Sequence, residues 1–431
     1  MKFLKTITLG CLLCLGVISF FPQTVCAQSQ GIVVRFRLSD STYRLNDLVA
    51  DFDDTETLRE LERRAYFGTR QEKLSRITEL MQCGATREQA MNYVLIGLKE
   101  EVRRLQARYD VLPKDASVMF SPSEPTPFAF RREKSGKRLK IDTMYAEIFE
   151  QLQRSEEITV TEQTERVLPA VTEQQLKAQT TLKAVFSTDY SASSAARKQN
   201  VRLALQKFHG KVVKSGQKVS FNDVVGERSA ANGFQNAKII VNGEYVDGVG
   251  GGVCQASTTL YNACLLAGLK INSCARHTLQ SSYVEPSFDA MVSSATDFVF
   301  TNDTPSDLYF KINSNDTTVS VRIYGVPNEY EIRRKSVVVK REKAQYDVRE
   351  DRDGTYLDRV RYADESFVLK AGHDAVTSRG YLEYYKNGKK VKEKLLREDV
   401  YKGTKGILIR GGTPRCEIKI LSENLQESAE N

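Results

Sequence analysis

The feature that most constrains this chain is a run of three glycines that leads directly into an apolar helical segment. Residues 250–252 are glycine, Cys254 follows after one valine, and apolar residues at helical spacing continue to Gly268, which is expected to end the helix. Glycines let the backbone turn sharply and let another group approach closely. A cysteine at a helix start meets unpaired N–H groups and the positive end of the helix dipole, which favour the thiolate. The segment therefore predicts either a reactive thiol or a small buried cysteine behind a glycine turn.

A histidine and two acids follow the cysteine in an order that is typical of thiol enzymes. His277 stands 23 residues after Cys254, and Asp289 and Asp297 come next. The order Cys–His–Asp resembles that of papain-like and transglutaminase-like enzymes, in topology only. In this interpretation Cys254 attacks an acyl carbon, His277 takes up the thiol proton, and Asp289 or Asp297 orients the imidazole. The alternative is structural: the histidine satisfies a core hydrogen bond, and the aspartates cap turns or end strands.

Residues around the cysteine are candidates for holding a substrate. The backbone N–H groups of Cys254 and of one preceding glycine or valine are expected to stabilise an oxyanion. Arginine side chains nearby would bind a carboxylate such as the end of a stem peptide. The predicted substrate-binding residues are Gly251, Gly252, Gln255, Ser257, Thr258, Arg228 and Arg276. Alternatively, the hydroxyls bond back to the helix start and Arg228 braces a loop.

Short motifs on both sides of this segment keep a fixed order over about 100 residues. They are SFN at 220–222, GER at 226–228, NGF at 232–234, GGGVCQASTTLYNA at 250–263, RH at 276–277, YV at 283–284, DA at 289–290, and Asp297. This pattern strongly resembles the VanW domain, which is found in bacterial envelope proteins and is named from a glycopeptide-resistance gene cluster. The resemblance covers residues 179–326 and implies a role at peptidoglycan or a related wall polymer, without fixing the reaction.

One departure from that family lies beside a candidate acid. VanW domains usually have a glycine two positions before the residue equivalent to Asp289 and a threonine two positions after it. This chain has Ser287 and Met291 there. The shape of this loop therefore does not follow from the resemblance.

The N-terminus has the pattern of a secretory signal peptide. Lys2 and Lys5 precede an apolar run at about 7–21, and residues 25–27 resemble a cleavage site, so cleavage is expected after Ala27. The remaining chain would be secreted or held in the extracellular cell envelope. An uncleaved segment would instead be a short membrane anchor, which is the one case in which a membrane partner is predicted.

Cysteine number and charge exclude several classes of protein. An odd number of cysteines would remain after cleavage, leaving at least one free thiol or an intermolecular bond. They are Cys83, Cys254, Cys264, Cys274 and Cys416. Their spacing lacks the paired ligands of zinc motifs, so neither a metal nor another cofactor is predicted. The net charge of +8 is diffuse; it suits anionic wall polymers and not a nucleic-acid footprint, so no nucleic-acid partner is predicted.

The expected architecture is a multidomain α+β protein. Its segments are a signal peptide (1–27), an α+β domain resembling the YoaR-type peptidoglycan-binding domain (28–178), the α+β VanW-like domain with its cysteine at a helix N-terminus (179–326), an all-β module resembling the five-glycine domain (330–420), and a disordered tail (421–431).

Local patterns predict several elements within these segments. A helix is expected over 87–107, begun by a capping box of Thr86 and Gln89. Residues 156–185 predict a strand, a turn and a strand, and residues 290–292 a short strand. The Asn-Gly pair at 387–388 predicts a two-residue hairpin turn.

The sequence therefore predicts an exported cell-envelope protein that acts on or binds peptidoglycan. The leading hypothesis is a Cys–His thiol acyl enzyme, either an amidase, a peptidase or a transpeptidase. The alternative is a non-catalytic wall-binding or scaffold protein for envelope maintenance or glycopeptide resistance. The enzyme requires Cys254 to be accessible in a groove and within hydrogen-bond reach of His277, whereas the scaffold allows the thiol to be buried.

Overall fold

The computed structural model describes residues 31–45, 55–241 and 244–414. The predicted signal peptide, the predicted tail and Cys416 lie outside these ranges. The chain divides into two compact units, Met1–Lys114 with Lys134–Ala170, and Asp115–Glu133 with Val171–Asn431. Each unit combines helices and strands, which confirms the predicted α+β class and more than one domain. The finer domain boundaries stay predictions.

The described ranges contain both helices and strands. The helices are α1 Thr55–Arg63, α2 Arg70–Gln82, α3 Arg87–Val94, α4 Leu98–Tyr109, α5 Ile141–Leu152, α6 Glu173–Gln179, α7 Ala195–Gln206, α8 Phe221–Val225 and α9 Val253–Leu266. The strands are β1 Val33–Phe36, β2 Ser41–Arg44, β3 Ser117–Phe120, β4 Phe128–Arg131, β5 Gly136–Leu139, β6 Glu157–Val160, β7 Thr164–Val167, β8 Thr181–Asp189, β9 Val212–Val213, β10 Lys218–Ser220, β11 Asn236–Val241, β12 Glu244–Val249, β13 Lys270–Ser273, β14 Val299–Thr301, β15 Leu308–Ser314, β16 Thr318–Gly325, β17 Glu331–Glu342, β18 Tyr346–Asp351, β19 Ser366–Lys370, β20 Ala375–Lys386, β21 Lys389–Tyr401 and β22 Gly406–Gly411.

The first unit packs α2, α3, α4 and α5 with a three-stranded sheet of order β2-β1-β6 around one apolar core. The single helix predicted over 87–107 is wrong, because α3 ends at Val94 and α4 begins at Leu98. Gly97 between them has a φ of 84°, a left-handed conformation that glycine adopts without a steric penalty. The capping box of Thr86 and Gln89 is confirmed.

Helix α9 lies inside the second unit. It packs against α7, β17 and the antiparallel sheet of order β8-β16-β15-β9. Twelve of its 14 residues are buried, so its polar side chains have to find their hydrogen-bond partners inside the protein. The predicted end of this helix is confirmed: Gly268 has a φ of 72°, and the N–H of Leu269 donates to the Cys264 carbonyl at 3.0 Å.

Two other predicted elements need correction. The segment 156–185 contains helix α6 as well as strands, because Thr172 forms a capping box with Gln175 that starts a short helix. Residues 290–292 form no strand; Met291 makes a single bridge to Ala275. The hydrogen-bonding groups of this segment are used instead by side chains of α9.

From Glu331 to Gly411 the described elements are strands, in two sheets of order β17-β20-β21 and β18-β22-β19. The predicted turn at Asn387 and Gly388 is confirmed: both have positive φ, 51° and 75°, and they join β20 to β21. Leu382 of β20 belongs to the same apolar core as α9. None of the helices in the described ranges combines the length and hydrophobicity that a bilayer-spanning segment requires.

Candidate active site

The glycine turn before α9 is shaped by tight packing against protein backbone. A Cβ on Gly251 would lie 2.7 Å from backbone atoms of Ala237 and Lys238. Gly252 has a φ of 108°, and both glycines are buried. The Asn200 side chain donates to the Gly251 carbonyl at 2.9 Å. These contacts explain the two glycines by packing, and substrate binding at Gly251 or Gly252 stays a prediction.

Cys254 is the second residue of α9 and is partly exposed. Its thiol donates to the carbonyl oxygen of Val292 at 3.3 Å, and it lies close enough to the ring of His277 for each group to shift the pKa of the other. Burial alone would raise the pKa of this thiol. The hydrogen bond and charge of His277 outweigh burial, and with the Arg228 guanidinium they hold the pKa of Cys254 below its ordinary value. The surroundings therefore favour the thiolate.

The two neighbouring thiols of the same core are shifted in the opposite direction. Burial raises the pKa of Cys264 well above its ordinary value. Burial also raises the pKa of Cys274 to about 12. Of these three thiols, Cys254 is the one poised for nucleophilic chemistry.

His277 lies in the loop after β13, and its ring is held by an acid. Its Nδ1 is 2.6 Å from Oδ2 of Asp289, and its backbone N–H donates to the same oxygen at 2.6 Å. Burial would lower the pKa of His277, but its hydrogen bonds with Asp289 and Cys254, and their charges, raise it to about 9. Because Nδ1 faces Asp289, Nε2 is the ring nitrogen left for Cys254.

Asp289 is 1% exposed and has both carboxylate oxygens in use. Oδ2 binds His277, while Oδ1 accepts from Arg397 Nη2 at 2.7 Å and from the Tyr401 hydroxyl at 2.6 Å. Burial would raise the pKa of Asp289, but the hydrogen bond and charge of His277, the Arg397 charge and the Tyr401 hydrogen bond lower it to about 2. Asp289 is therefore an anion that holds the His277 ring in one orientation.

Asp297, the second predicted acid, lies in a different set of contacts. Its carboxylate accepts from the Ser220 hydroxyl at 2.5 Å and from the Asn222 backbone N–H at 3.0 Å. No hydrogen bond joins it to His277 in the part of the chain that the structure describes. Of the two acids predicted as alternatives, Asp289 is the one that contacts the imidazole, and Asp297 braces the start of α8.

Three predicted substrate-binding side chains of α9 are buried and fully engaged. Gln255 donates to the Asp189 carbonyl at 2.8 Å, and the Ser257 hydroxyl donates to the Ala290 carbonyl at 2.6 Å. Thr258 accepts from the Ala290 N–H at 2.9 Å. All three residues are exposed by 1% or less. These hydrogen bonds anchor α9 to neighbouring segments, and contact of the three side chains with substrate stays a prediction.

The two predicted arginines differ in what they contact. Arg228 donates to the Asn222 side chain and, at 3.4 Å, to the Val292 carbonyl, so it braces a loop beside Cys254. Arg276 donates to the His277 carbonyl at 3.1 Å, and 39% of its side chain is exposed. Arg276 is the better placed of the two to meet a carboxylate in solution.

Some backbone N–H groups at the start of α9 are already hydrogen-bonded, which leaves fewer of them available to stabilise an oxyanion. The N–H of Val253 donates to the Gly250 carbonyl at 3.1 Å, and that of Gln255 to the Gly252 carbonyl at 2.8 Å. Between them, the N–H of Cys254 has no backbone acceptor among the described residues. The N–H of Val253 is therefore already in use, whereas those of Cys254, Gly251 and Gly252 stay candidate donors.

Arg397 and Tyr401 are site residues that the sequence reasoning missed. Both lie on β21, more than 100 positions after Asp289, in a strand with many charged side chains. The sequence signal that could have found them is the alternation of side chains along a strand, which places residues 397, 399 and 401 on one face. That pattern does not reveal which partner the face meets.

Comparisons with known proteins show which family and which relative this chain is similar to. Residues 196–324 match the family described as VanW like protein. Over 118 residues the chain is 42% identical to an uncharacterized protein, YoaR, of Bacillus subtilis (strain 168), a match that covers 27% of this chain and 39% of that protein. The chain thus spans well under half the length of this curated relative.

Two solved structures match a fifth of the chain. The crystal structure of HP0197-G5 is 21% identical, with 20% of this chain and 100% of that chain covered and a TM-score of 0.13. The IgA1 protease G5 domain structure is 13% identical, with 20% and 95% covered and a TM-score of 0.13. The five-glycine character of residues 330–420 stays a prediction.

Proposed function

Since the chain contains a VanW-like domain, which confirms the resemblance seen in its motifs, we propose that it is an exported cell-envelope protein whose VanW-like domain is a thiol acyl enzyme. The proposed substrate is peptidoglycan or a related wall polymer, and the proposed reaction is that of an amidase, peptidase or transpeptidase. Export rests on the signal-peptide pattern of the N-terminus.

The observation that carries this proposal is the continuous series of contacts from Cys254 through His277 to Asp289. A helix-start thiol with a lowered pKa contacts an imidazole with a raised pKa, and a buried carboxylate fixes that imidazole. A purely structural cysteine needs none of these features, because a buried neutral thiol is stable without a charged partner.

The reaction begins from a thiolate and an imidazolium. The Cys254 thiolate attacks the carbonyl carbon of an amide, and negative charge develops on the carbonyl oxygen, which the Cys254 N–H would stabilise. As the C–N bond breaks, Nε2 of His277 gives its proton to the departing amine, and a thioester on Cys254 remains.

The second half of the reaction reverses the proton transfer. Neutral His277 takes a proton from water or from an acceptor amine as that group attacks the thioester, and the Cys254 thiolate leaves. Water as the acceptor gives hydrolysis, and an amine gives a new amide bond. Arg276 is the proposed contact for a carboxylate of the substrate, because its guanidinium is partly exposed beside the His277 carbonyl.

The test is to trap the acyl group on Cys254. The exported chain is incubated with isolated peptidoglycan and quenched in acid, and the Cys254 peptide is examined by mass spectrometry while released muropeptides are analysed by chromatography. We expect an added acyl mass on this peptide and altered muropeptides, both lost in Cys254→Ala. Unaltered muropeptides together with an unmodified Cys254 peptide would refute the enzyme.

The binding-protein alternative is favoured by one set of observations. Cys254 is only partly exposed, and two surface cavities of about 450 and 420 Å³ are lined by residues other than Cys254 and His277. In this alternative the chain binds wall polymer without reacting. Sacculus binding that is unchanged in Cys254→Ala, with muropeptides unaltered by wild-type protein, would support it.

A further inference from the structure

The Asp289 carboxylate is held jointly by two distant parts of the chain. Oδ2 meets His277, only 12 positions away, whereas Oδ1 meets two residues of β21, Arg397 and Tyr401. Arg397 Nη2 also donates to the backbone carbonyl of Asp289 at 2.7 Å. A carboxylate fixed at one oxygen can still rotate about its Cβ–Cγ bond, and contacts at the second oxygen remove that freedom.

The loop leading to Asp289 is shaped by the same strands. Ser287 has a φ of 68°, a left-handed conformation that is unusual for a residue with a side chain. Its N–H donates to the Tyr401 hydroxyl at 2.7 Å, its carbonyl accepts from Arg397 Nε at 3.0 Å, and its hydroxyl lies 2.7 Å from that of Ser378. These contacts hold the loop in a conformation that its local sequence does not favour.

The close approach of β20 to this loop requires a glycine. A Cβ on Gly380 would lie 2.9 Å from the Ser287 side chain and carbonyl oxygen. The sheet of β17, β20 and β21 is therefore fitted to the Ser287–Asp289 loop at backbone level, and its contact with the site is not limited to long flexible side chains.

Charges alternate along this contact. The Arg397 guanidinium lies 2.7 Å from Asp289 and 2.7 Å from Asp399, and Asp399 lies 3.8 Å from Arg276. Arg397 is 17% exposed and Asp289 1%. Besides these groups, the titratable groups that face Asp289 are His277, Tyr401, Cys274, Tyr261 and Tyr283. Arg397 thus provides the buried Asp289 carboxylate with a second positive countercharge, in addition to that of His277.

We propose that Arg397 and Tyr401 are positioning residues of the candidate active site, so that the sheet β17-β20-β21 completes the Cys254–His277–Asp289 arrangement. This inference rests on the proposed function, because it assigns the two residues a role in that same chemistry. It gives the C-terminal strands a function at the reacting groups, in addition to any contact with wall polymer.

The test uses two substitutions that leave the net charge unchanged, Tyr401→Phe and Arg397→Lys. Tyr401→Phe removes one hydroxyl, and Arg397→Lys keeps the cation but loses the planar fork that reaches several acceptors. The matched control is Arg379→Lys, because Arg379 pairs with Glu398 on the same two strands and is 45% exposed. The alkylation rate of Cys254 by iodoacetamide is measured against pH in the full exported chain, beside the melting temperature.

In wild type we expect the alkylation rate to rise with an inflection below the ~8.5 of a free thiol. In both positioning variants the inflection should move up by about 0.5 to 1, so that alkylation at pH values below the inflection slows about three- to tenfold. Arg379→Lys should leave it unchanged. A residue with only a structural role would lower the melting temperature without moving the inflection.

The outcomes separate the two proposals. A wild-type inflection that persists in folded Tyr401→Phe or Arg397→Lys overturns the positioning role and leaves the enzyme proposal standing. An equal shift in Arg379→Lys also overturns it, because the effect would then be general to the hairpin. A wild-type Cys254 without a low inflection overturns the proposed function itself. Failure of alkylation at the buried Cys264 reports that each variant is folded.

Discussion

Replacing Asp289 by asparagine should strongly destabilise the thiolate form of Cys254, although Asp289 acts on this thiolate through His277 and needs no direct contact with it. Asp289 stabilises the His277 imidazolium, and the imidazolium in turn stabilises the thiolate. In Asp289→Asn the neutral amide no longer stabilises the charged ring, and burial then disfavours it. The equilibrium between the thiolate–imidazolium pair and the neutral pair should shift towards the neutral pair.

The magnitude follows from the pKa of His277. The ring has a pKa of about 9 in the protein, against an ordinary value of 6.5. A return to the ordinary value is a fall of about 2.5, which corresponds to about 3 kcal/mol and to a change of about 300-fold in the ratio of the ion pair to the neutral pair. Cys254 contributes part of the raised pKa, so we expect this ratio to fall between about 30-fold and 300-fold, and the inflection of Cys254 alkylation to move to higher pH.

The assay is the alkylation rate of Cys254 by iodoacetamide from pH 4 to pH 10, read from the Cys254 peptide by mass spectrometry. Cys83 is exposed and provides an internal reference in each sample. Asp297→Asn is the matched control, because Asp297 contacts Ser220 and Asn222. The reasoning is refuted if folded Asp289→Asn keeps the wild-type rate and inflection, or if Asp297→Asn loses as much.

Three further predictions concern packing and pH. Gly251→Ala should lower the free energy of unfolding by about 1–3 kcal/mol in urea, because the new Cβ would lie 2.7 Å from the backbone of Ala237; an unchanged midpoint would contradict this. The depressed pKa of Asp289, about 2 against an ordinary 3.8, contributes stability that is present above the ordinary value and is lost as pH falls through about 2. The stability gap between wild type and Asp289→Asn should therefore shrink by about 2 kcal/mol between pH 6 and pH 2, measured by urea unfolding; a constant gap would contradict it. Because His277 has a pKa of about 9, turnover of wall fragments should fall above pH 9 as the imidazolium loses its proton, while alkylation of Cys254, which needs no proton donor, should not fall; parallel profiles would contradict this.

The sequence predicted those parts of the fold that local chemistry decides. The helix from Val253 to Leu266, its end at Gly268 and the hairpin turn at Asn387 all follow from glycine and asparagine positions and from helical spacing. The break at residues 95–97 was missed, because apolar spacing continues across these three non-helical residues into α4.

Some residues of the candidate site could be predicted from the sequence and others could not, for a physical reason. Sequence order groups Cys254 and His277 with either Asp289 or Asp297, but it does not choose between the two acids, and it says nothing about which side of a helix faces solvent. Gln255 and Ser257 follow Cys254 directly, yet α9 is enclosed by protein, so these side chains turn to buried carbonyl groups. Polarity next to a nucleophile therefore reflects the need to satisfy a buried helix as much as contact with substrate.

The candidate site spans much of the second unit's sequence because its nucleophile, its acid and the strands that support the acid lie in separate segments. The nucleophile lies on a buried helix whose position is fixed by packing on almost every side, which limits its movement. The acid lies in a loop with an unfavourable backbone conformation at Ser287, and such a loop needs support from outside its own sequence. That support comes from β20 and β21, through Ser378, Arg397 and Tyr401. The segment that matches the VanW family ends at residue 324, so it contains the reacting groups but not the strands that hold Asp289 and Ser287. A chain cut after residue 330 would leave Asp289 Oδ1 without its two donors, and loss of reactivity in that fragment would reflect a disordered acid as well as any lost binding to the wall.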